Sequence, residues 1–272
     1  MSAALPLSVL LLARDEAPAL RALLPALAFA AEVVVIVDAA TRDDTAAVAT
    51  AAGAQVHVRA LAGAGGGFGP QRRFALERCT QPWVLWIDAD ERLAPGAATA
   101  IAAAIARGDA DGWTLARRTW FLGRPVRFCG WQGERVLRLF RRDHAAFDDA
   151  PVHERVRVTG RVAALDATLE HDSYPTWDAA VAKLLQYSAA NAVGLARAGR
   201  RASLVDVALR PPLRFVRMYV LQLGVLDGAR GLLVCALAAT QVFLKYAARW
   251  AAERDRAERA PAGRTPGDPA RR

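Results

Sequence analysis

Asp88 and Asp90 stand two residues apart directly after the apolar run Trp83-Val-Leu-Trp-Ile87. In an extended backbone, residues i and i+2 point to the same side. Two carboxylates on one face at a strand end suit a divalent cation, and Mg2+ or Mn2+ take such oxygen ligands and complete their shell with substrate phosphates. Helix capping explains the pair less well, because the next helical segment begins near Pro95, too far from Asp88. Asp38 closes the run Val33–Val37. A carboxylate there either accepts hydrogen bonds from a nucleoside or caps the helix beginning near Thr45, a task Asp43 and Asp44 fit better. Glu154, beside His153 and well after the acidic pair, is a candidate general base. His153, Glu154 and His171 match no zinc spacing. The glycine-rich stretch 63–69 lacks both GxGxxG and Gly-Lys-Ser/Thr, so it reads as a flexible loop rather than a phosphate cradle.

Positioning these groups requires a layered scaffold. Leu7–Leu12 is apolar but for Ser8, Val33–Val37 and Trp83–Ile87 are apolar throughout, and Gln55–Val58 is a weaker candidate. Such runs suit strands buried on both faces of a parallel sheet. Alanine-rich helical segments at about 17–30, 44–52, 70–79 and 96–107 alternate with them, which predicts an α/β domain. Ligands in these sheets bind at the carboxyl ends of the strands. Polar residues follow each run there: Arg14, Asp15 and Glu16; Asp38, Thr41, Asp43 and Asp44; Asp88, Asp90 and Glu91. From about 112 to 172 the pattern shifts to short strands, among them Arg135–Phe140, Arg155–Val158 and Val162–Leu165. A helix over about 176–199 follows. Two more are expected at 211–229, after Pro211 and Pro212, and at 231–252. The charged, Pro- and Gly-containing stretch 253–272 predicts a disordered tail.

The chain of 272 residues is 54% hydrophobic and 23% charged, which excludes a disordered protein. No uninterrupted apolar run reaches the ~18 residues of a spanning helix. Residues 3–13 lack a preceding basic residue, and Arg14, Asp15 and Glu16 stand where a cleavage site would lie, so this run reads as a buried first strand of a cytoplasmic protein. Cys79, Cys129 and Cys235 form no CxxC pattern and read as buried thiols. The net charge is +9. Residues 1–196 are balanced, whereas 197–272 hold 15 basic and 6 acidic residues, which points to an anionic partner for that part. Leu232–Leu244 is nearly all apolar and could lie in a membrane interface, where a basic surplus attracts anionic lipid. Nucleic acid is excluded as a partner, since no recognised module is present and Trp and Tyr are not interleaved with the basic residues.

The order of these pieces resembles family 2 glycosyltransferases of the GT-A fold: Arg-Asp-Glu after the first strand, Val-Asp after the second, Gln71-Arg-x-Phe-Ala-Leu76, and Trp83-x-x-x-x-Asp-Ala-Asp-Glu-Arg92. Later motifs are similar to the bacterial subgroup that includes lipopolysaccharide core glucosyltransferases: Phe121-Leu-Gly, Gly130-Trp131, Leu137-Arg-Leu-Phe140, Pro151-Val-His-Glu154, His171-Asp-Ser-Tyr174, Leu226-Asp-Gly228 and Phe243-Leu-Lys-Tyr246. The resemblance implies a Rossmann-like nucleotide-diphospho-sugar transferase domain with a C-terminal helical extension. It implies inverting transfer of a hexose such as glucose from a UDP-sugar to an envelope glycan or lipopolysaccharide core acceptor, at the inner face of the cytoplasmic membrane. The alternatives are transfer to a polyprenyl phosphate and a non-catalytic homologue. The family's nucleotide-sugar positions fall on Ala13, Glu16, Asp38, Gln71, Arg72 and Asp88, and its Mg2+ or Mn2+ motif on Asp88 and Asp90, with Asp90 the direct ligand. Glu154 is the favoured base, and Glu134 occupies the place where the subgroup has Asp. On this basis residues 1–125 form the nucleotide-sugar half, 126–175 the acceptor side of the same domain, and 176–252 the membrane-peripheral helices. The chain departs from the pattern at Asp15, usually Asn; at Ala39-Ala40-Thr41-Arg42, usually small hydroxyl residues and Gly; and at Arg73, usually Asn. These changes leave the donor sugar open.

Overall fold

The computed structural model describes residues 4–60, 68–148 and 156–259. The chain divides into two compact units, Met1–Pro125 with Gly133–Ser173, and Val126–Gln132 with Tyr174–Arg272.

The first unit is built on β1 (Leu5–Ala13), β2 (Ala30–Asp38), β3 (Gln55–Arg59) and β4 (Trp83–Trp86). These run parallel in the order β3-β2-β1-β4. Three helices alternate with them: α1 (Ala17–Leu23), α2 (Thr45–Ala51) and α3 (Phe68–Arg78). The nearly unbroken apolar runs have a simple cause. Leu7, Val9, Leu11, Val35, Val37, Leu85 and Ile87 face one core, while Leu10, Val34, Ile36 and Val84 face the other with Ala75 and Leu76 of α3. A strand covered on both faces favours apolar side chains throughout, and the one polar residue buried in β1, Ser8, accepts from the Gln81 N–H at 3.1 Å.

Chain order along the sheet reverses beside β1, since β2 and β3 lie on one side and β4 on the other. Such a reversal opens a crevice at the carboxyl ends of the strands, where ligands of α/β sheets bind. Beyond β4 the sheet becomes mixed. It continues through β8 (Arg135–Arg141), β6 (Gly112–Phe121), β11 (Val162–Tyr174) and β5 (Glu91–Leu93), with β7 (Arg124–Pro125) paired to β6. β8 lies antiparallel to both β4 and β6, so its amino end comes to the carboxyl end of β4. α4 (Ala97–Arg107) buries Ile101 and Ala104 in the first core and ends at Gly108, whose φ of 58° suits glycine. β9 (Ala145–Phe147) and β10 (Val156–Val158) form a separate antiparallel pair.

The second unit is helical. Thr176 caps α5 (Trp177–Arg197) by accepting from the Ala179 N–H at 3.1 Å. α6 (Leu204–Val216) starts with a reciprocal capping box between Ser203 and Asp206. That start signal corrects the expectation that the helix follows Pro211 and Pro212, since both prolines lie inside α6. A wider turn (Arg217–Leu221) and a short 3-10 segment (Gly224–Asp227) lead into α7 (Gly228–Arg259). The connection is tight at Gly224 and Gly231, where a Cβ on Gly231 would fall 1.9 Å from the Gly224 carbonyl oxygen. Asp227 accepts from the N–H groups of Arg127 (3.0 Å) and Phe128 (2.8 Å), tying residues 126–132 to this connection. α7 stays helical to Arg259, into the stretch expected to be disordered. The expectation that no segment is long and apolar enough to span is corrected as well: Gly224–Asp255 passes by length and composition. Counting uninterrupted apolar residues stopped at Arg230 and Lys245, but a long helix tolerates an isolated cation whose stem is apolar. All three cysteines are buried free thiols, and burial pushes Cys79 up to about 12.

Candidate active site

The carboxyl ends of β1 and β2 form the first part of the site. Ala13 is buried and pairs with Val37. Asp38 is also buried. Its Oδ1 accepts from the Ala40 N–H at 3.1 Å, and its Oδ2 lies 3.4 Å from Arg14 Nη1. It therefore does not cap α2. Asp43 holds that role's neighbourhood, accepting from the N–H groups of Ala17 and Thr45, both at 3.0 Å. Between the strands Asp15 takes a φ of 54°, and its Oδ1 accepts from the Arg42 N–H at 2.6 Å. Asn and Asp are the non-glycine residues that enter this conformation most readily, so Asp15 satisfies the backbone demand where the resembled family has Asn. Glu16 follows as the residue before α1, its N–H donating to Thr45 Oγ1 at 2.8 Å.

The second part centres on Asp88. Extended geometry carries Trp86 and Asp88 to the α3 side, where the Trp86 indole N–H donates to Asp88 Oδ1 at 3.0 Å. Arg72 of α3 reaches the same oxygen at 3.2 Å, and Arg138 of β8 reaches Oδ2 at 2.7 Å. Both guanidiniums also stack on the Trp86 ring, 3.9 and 4.1 Å from its centroid. Arg138 donates as well to Glu91 Oε1 at 2.7 Å, and Glu91 Oε2 accepts from the Asp88 N–H at 3.0 Å. Glu91 is fully buried and Arg138 is 3% exposed. The cluster thus pairs two carboxylates with two guanidiniums, the condition under which buried charges are tolerated. Burial opposes charge on Asp88, but Arg138, Arg72 and the indole outweigh it and hold the carboxyl well below the usual carboxylate range. Burial pushes Glu91 up despite Arg138, and neighbouring Asp88 adds to the rise. Burial would lower Arg138, yet Asp88 and Glu91 raise it.

After Asp88 the chain turns, with the Glu91 N–H donating to the Asp88 carbonyl at 2.9 Å, so the pair stands in a turn rather than in an extended strand. Asp90 instead lies beside β11, where its Oδ2 is 3.3 Å from His171 Nε2 and its carbonyl accepts from the Asp172 N–H at 2.9 Å. Ser173 Oγ lies 2.7 Å from the same ring nitrogen. Among the described residues no group of three His, Cys, Asp or Glu is placed to hold a metal. Asp90 and His171 do offer one oxygen and one nitrogen donor. That partial set fits a cation that takes the rest of its shell from water and phosphate oxygens.

Gln71, on α3 beside Arg72, donates from Nε2 to the Ala60 carbonyl at 2.7 Å, and its buried Oε1 has no hydrogen-bond partner. Glu134 precedes β8 at the same end of the sheet. Both its oxygens accept from Arg117, at 2.6 Å from Nη2 and 3.1 Å from Nε. Glu154 and His153 lie outside the described residues. Sequence reasoning placed Glu91 at this strand end but missed Arg138 and Trp86 as members of the site. The signal for Arg138 was present in the Leu137-Arg-Leu-Phe140 motif, where an arginine interrupts an apolar strand, a placement that demands a buried partner.

The chain is similar to several known proteins. The profile of Glycosyl transferase family 2 matches residues 8–167. The lipopolysaccharide core biosynthesis glycosyltransferase LpsC of Rhizobium meliloti is 30% identical over 254 residues, covering 89% of this chain and 94% of that protein. An uncharacterized glycosyltransferase of Rickettsia prowazekii, RP128, is 27% identical over 79% of this chain and 76% of its own length. Among solved structures, S. aureus TarS 1-349 matches at a TM-score of 0.44 and 13% identity, covering 92% of this chain and 91% of TarS 1-349. With the profile spanning more than half of the residues and a relative 30% identical matched along most of its length, the chain belongs to glycosyl transferase family 2 and has the GT-A fold.

Proposed function

We propose that the protein transfers a hexose from a UDP-sugar to a membrane-borne envelope glycan or lipopolysaccharide core acceptor, with inversion at the anomeric carbon. The observation that carries this reading is the pairing of a buried, non-capping Asp38 with the Asp88 cluster on either side of β1. Asp38 accepts from the nucleoside, with Ala13 and Glu16 lining the same strand end. Gln71 and Arg72 face the diphosphate side, and the unpartnered Gln71 Oε1 is available to a ligand hydroxyl. Asp88 is a fixed anion whose orientation is set by Arg72, Arg138 and Trp86. Asp90, with His171 beside it, would hold Mg2+ or Mn2+, and the mixed oxygen and nitrogen pair suits Mn2+ better than the harder Mg2+. When bound, such an ion supplies Lewis-acid stabilisation of the departing diphosphate. Glu154 takes the acceptor hydroxyl proton as that oxygen attacks opposite the leaving group, and a single displacement with one base inverts the centre. The LpsC name suggests the core acceptor, and TarS has been crystallised with UDP-GlcNAc, so both glucose and N-acetylglucosamine donors belong in the test.

The test incubates the purified chain with each common nucleotide sugar, Mn2+ or Mg2+ and an envelope glycolipid extract, and records nucleoside diphosphate release. Release that needs metal and is lost in Asp90→Ala supports the reading. Failure to bind any nucleotide sugar would sink it. Loss of turnover in Glu154→Gln with donor binding intact would assign the base.

A further inference from the structure

The second unit carries a stripe of apolar side chains turned away from the protein. Val205, Leu209, Leu213, Val216 and Val220 are spaced four, four, three and four residues apart, so they form one helix face. Their exposures run from 49% at Val216 to 66% at Leu213, and Leu221, at 74%, extends the stripe into the following turn. α6 itself has no buried residue. Arg210, Arg214 and Arg217 each follow a stripe residue by one position, which places them along one flank. Arg210 is tied to Asp206 at 2.5 Å and lies over the Tyr246 ring, leaving Arg214 and Arg217 as the flank's outward cations.

We propose that this stripe docks on an anionic lipid bilayer, with α6 lying along the surface, its apolar face at the acyl boundary and the flanking guanidiniums at lipid phosphates. The charge of the region supports a lipid occupant over a protein groove, because 197–272 hold 15 basic against 6 acidic residues. α7, though long and apolar enough to span, stays in the helical unit. Its Cys235 and Val234 are buried, and Arg249, 8% exposed, donates to the Arg200 carbonyl at 2.9 Å and pairs with Glu253 at 2.7 Å. A spanning α7 would forfeit those contacts and place Arg249 near hydrocarbon. The inference rests on the membrane-borne acceptor proposed above for its purpose alone, and its flotation readout uses neither donor nor acceptor.

The experiment is flotation of the purified full chain with phosphatidylcholine vesicles, with and without phosphatidylglycerol. Wild type should float only with the anionic vesicles and be released by high salt. The pair Leu209→Asp with Leu213→Asp should lower the bound fraction at least about tenfold, as should Arg214→Glu with Arg217→Glu, with the circular-dichroism spectrum and melting temperature unchanged, which shows that each variant is folded. Absence of wild-type flotation overturns the proposal. So does a wild-type dimer that the leucine pair converts to monomer without any vesicle binding, which would make a second copy the occupant. Resistance of the protein to alkaline carbonate extraction from native membranes would show instead that α7 spans. Failed sugar transfer with intact flotation would count against the proposed function only.

Discussion

The two units treat apolar side chains in opposite ways. In the sheet unit Leu7, Leu10, Leu11, Leu20, Leu85 and Ile87 are wholly buried, and the charged Glu91 and Arg138 are sealed in with them. In the helical unit Leu204, Val205, Leu209, Leu213, Val220 and Leu221 are more than half exposed, while Arg249 is buried. Burial of apolar surface stabilises a fold by about 25 cal/mol per Å2, so an outward stripe contributes little unless something covers it. The sheet unit therefore organises charge around a reaction site. The helical unit keeps apolar surface in reserve for a partner.

Four measurements bear on that contrast. Arg138→Met should be the most damaging, because it leaves the fully buried Glu91 without its guanidinium and takes one of two from Asp88. The expected loss is about 3–5 kcal/mol in urea denaturation, and a loss under about 1 kcal/mol would mean the cluster does not need its guanidinium. A matched leucine pair tests the apolar side of the comparison directly. Leu11→Ala, at 0% exposure, should cost about 2–5 kcal/mol, whereas Leu213→Ala, at 66%, should stay within about 0.5 kcal/mol. Equal losses would erase the distinction between the units. Asp90→Asn should leave stability nearly unchanged yet slow sugar transfer at least about a hundredfold, or about 2.7 kcal/mol of barrier. The smallest effect lies at the opposite end of the sheet, at Glu32. Burial would raise its carboxyl, but donors from Ser8, Thr80 and Gln81 bring it below the ordinary value of 4.5. A depressed carboxyl contributes stability above pH 4.5 that is lost as pH falls through its lowered value. Glu32→Gln should therefore cost about 2 kcal/mol at neutral pH, with the gap to wild type closing in acid.

Much of the first unit was legible because short-range patterns settle it. The short, nearly unbroken apolar runs Leu7–Leu12 and Val33–Val37 suit strands covered on both faces, and they are β1 and β2. The Asp residues after those runs had to lie at one edge of the sheet, because parallel strands point their carboxyl ends the same way. The second unit was less legible. Pro211 and Pro212 outweighed Ser203 and Asp206 as a boundary signal, although the capping box starts the helix and the prolines sit within it. The length of α7 was hidden by Arg230 and Lys245, which interrupt an apolar count without interrupting a helix.

By itself the sequence determined the layered α/β architecture, the edge at which the carboxylates gather, the family, and the basic, apolar character of the C-terminal part. Periodicity, strand-end position and motif order are local properties, and they survive without knowledge of long-range contacts. Only the tertiary structure decided how the carboxylates divide their work. The chain turns at Asp88–Glu91, β8 brings Arg138 from 50 residues away to lock Asp88, and β11 brings His171 to Asp90. Spacing along a chain fixes which side chains share a strand face, but the partner that sets a carboxylate's charge and orientation comes across the sheet.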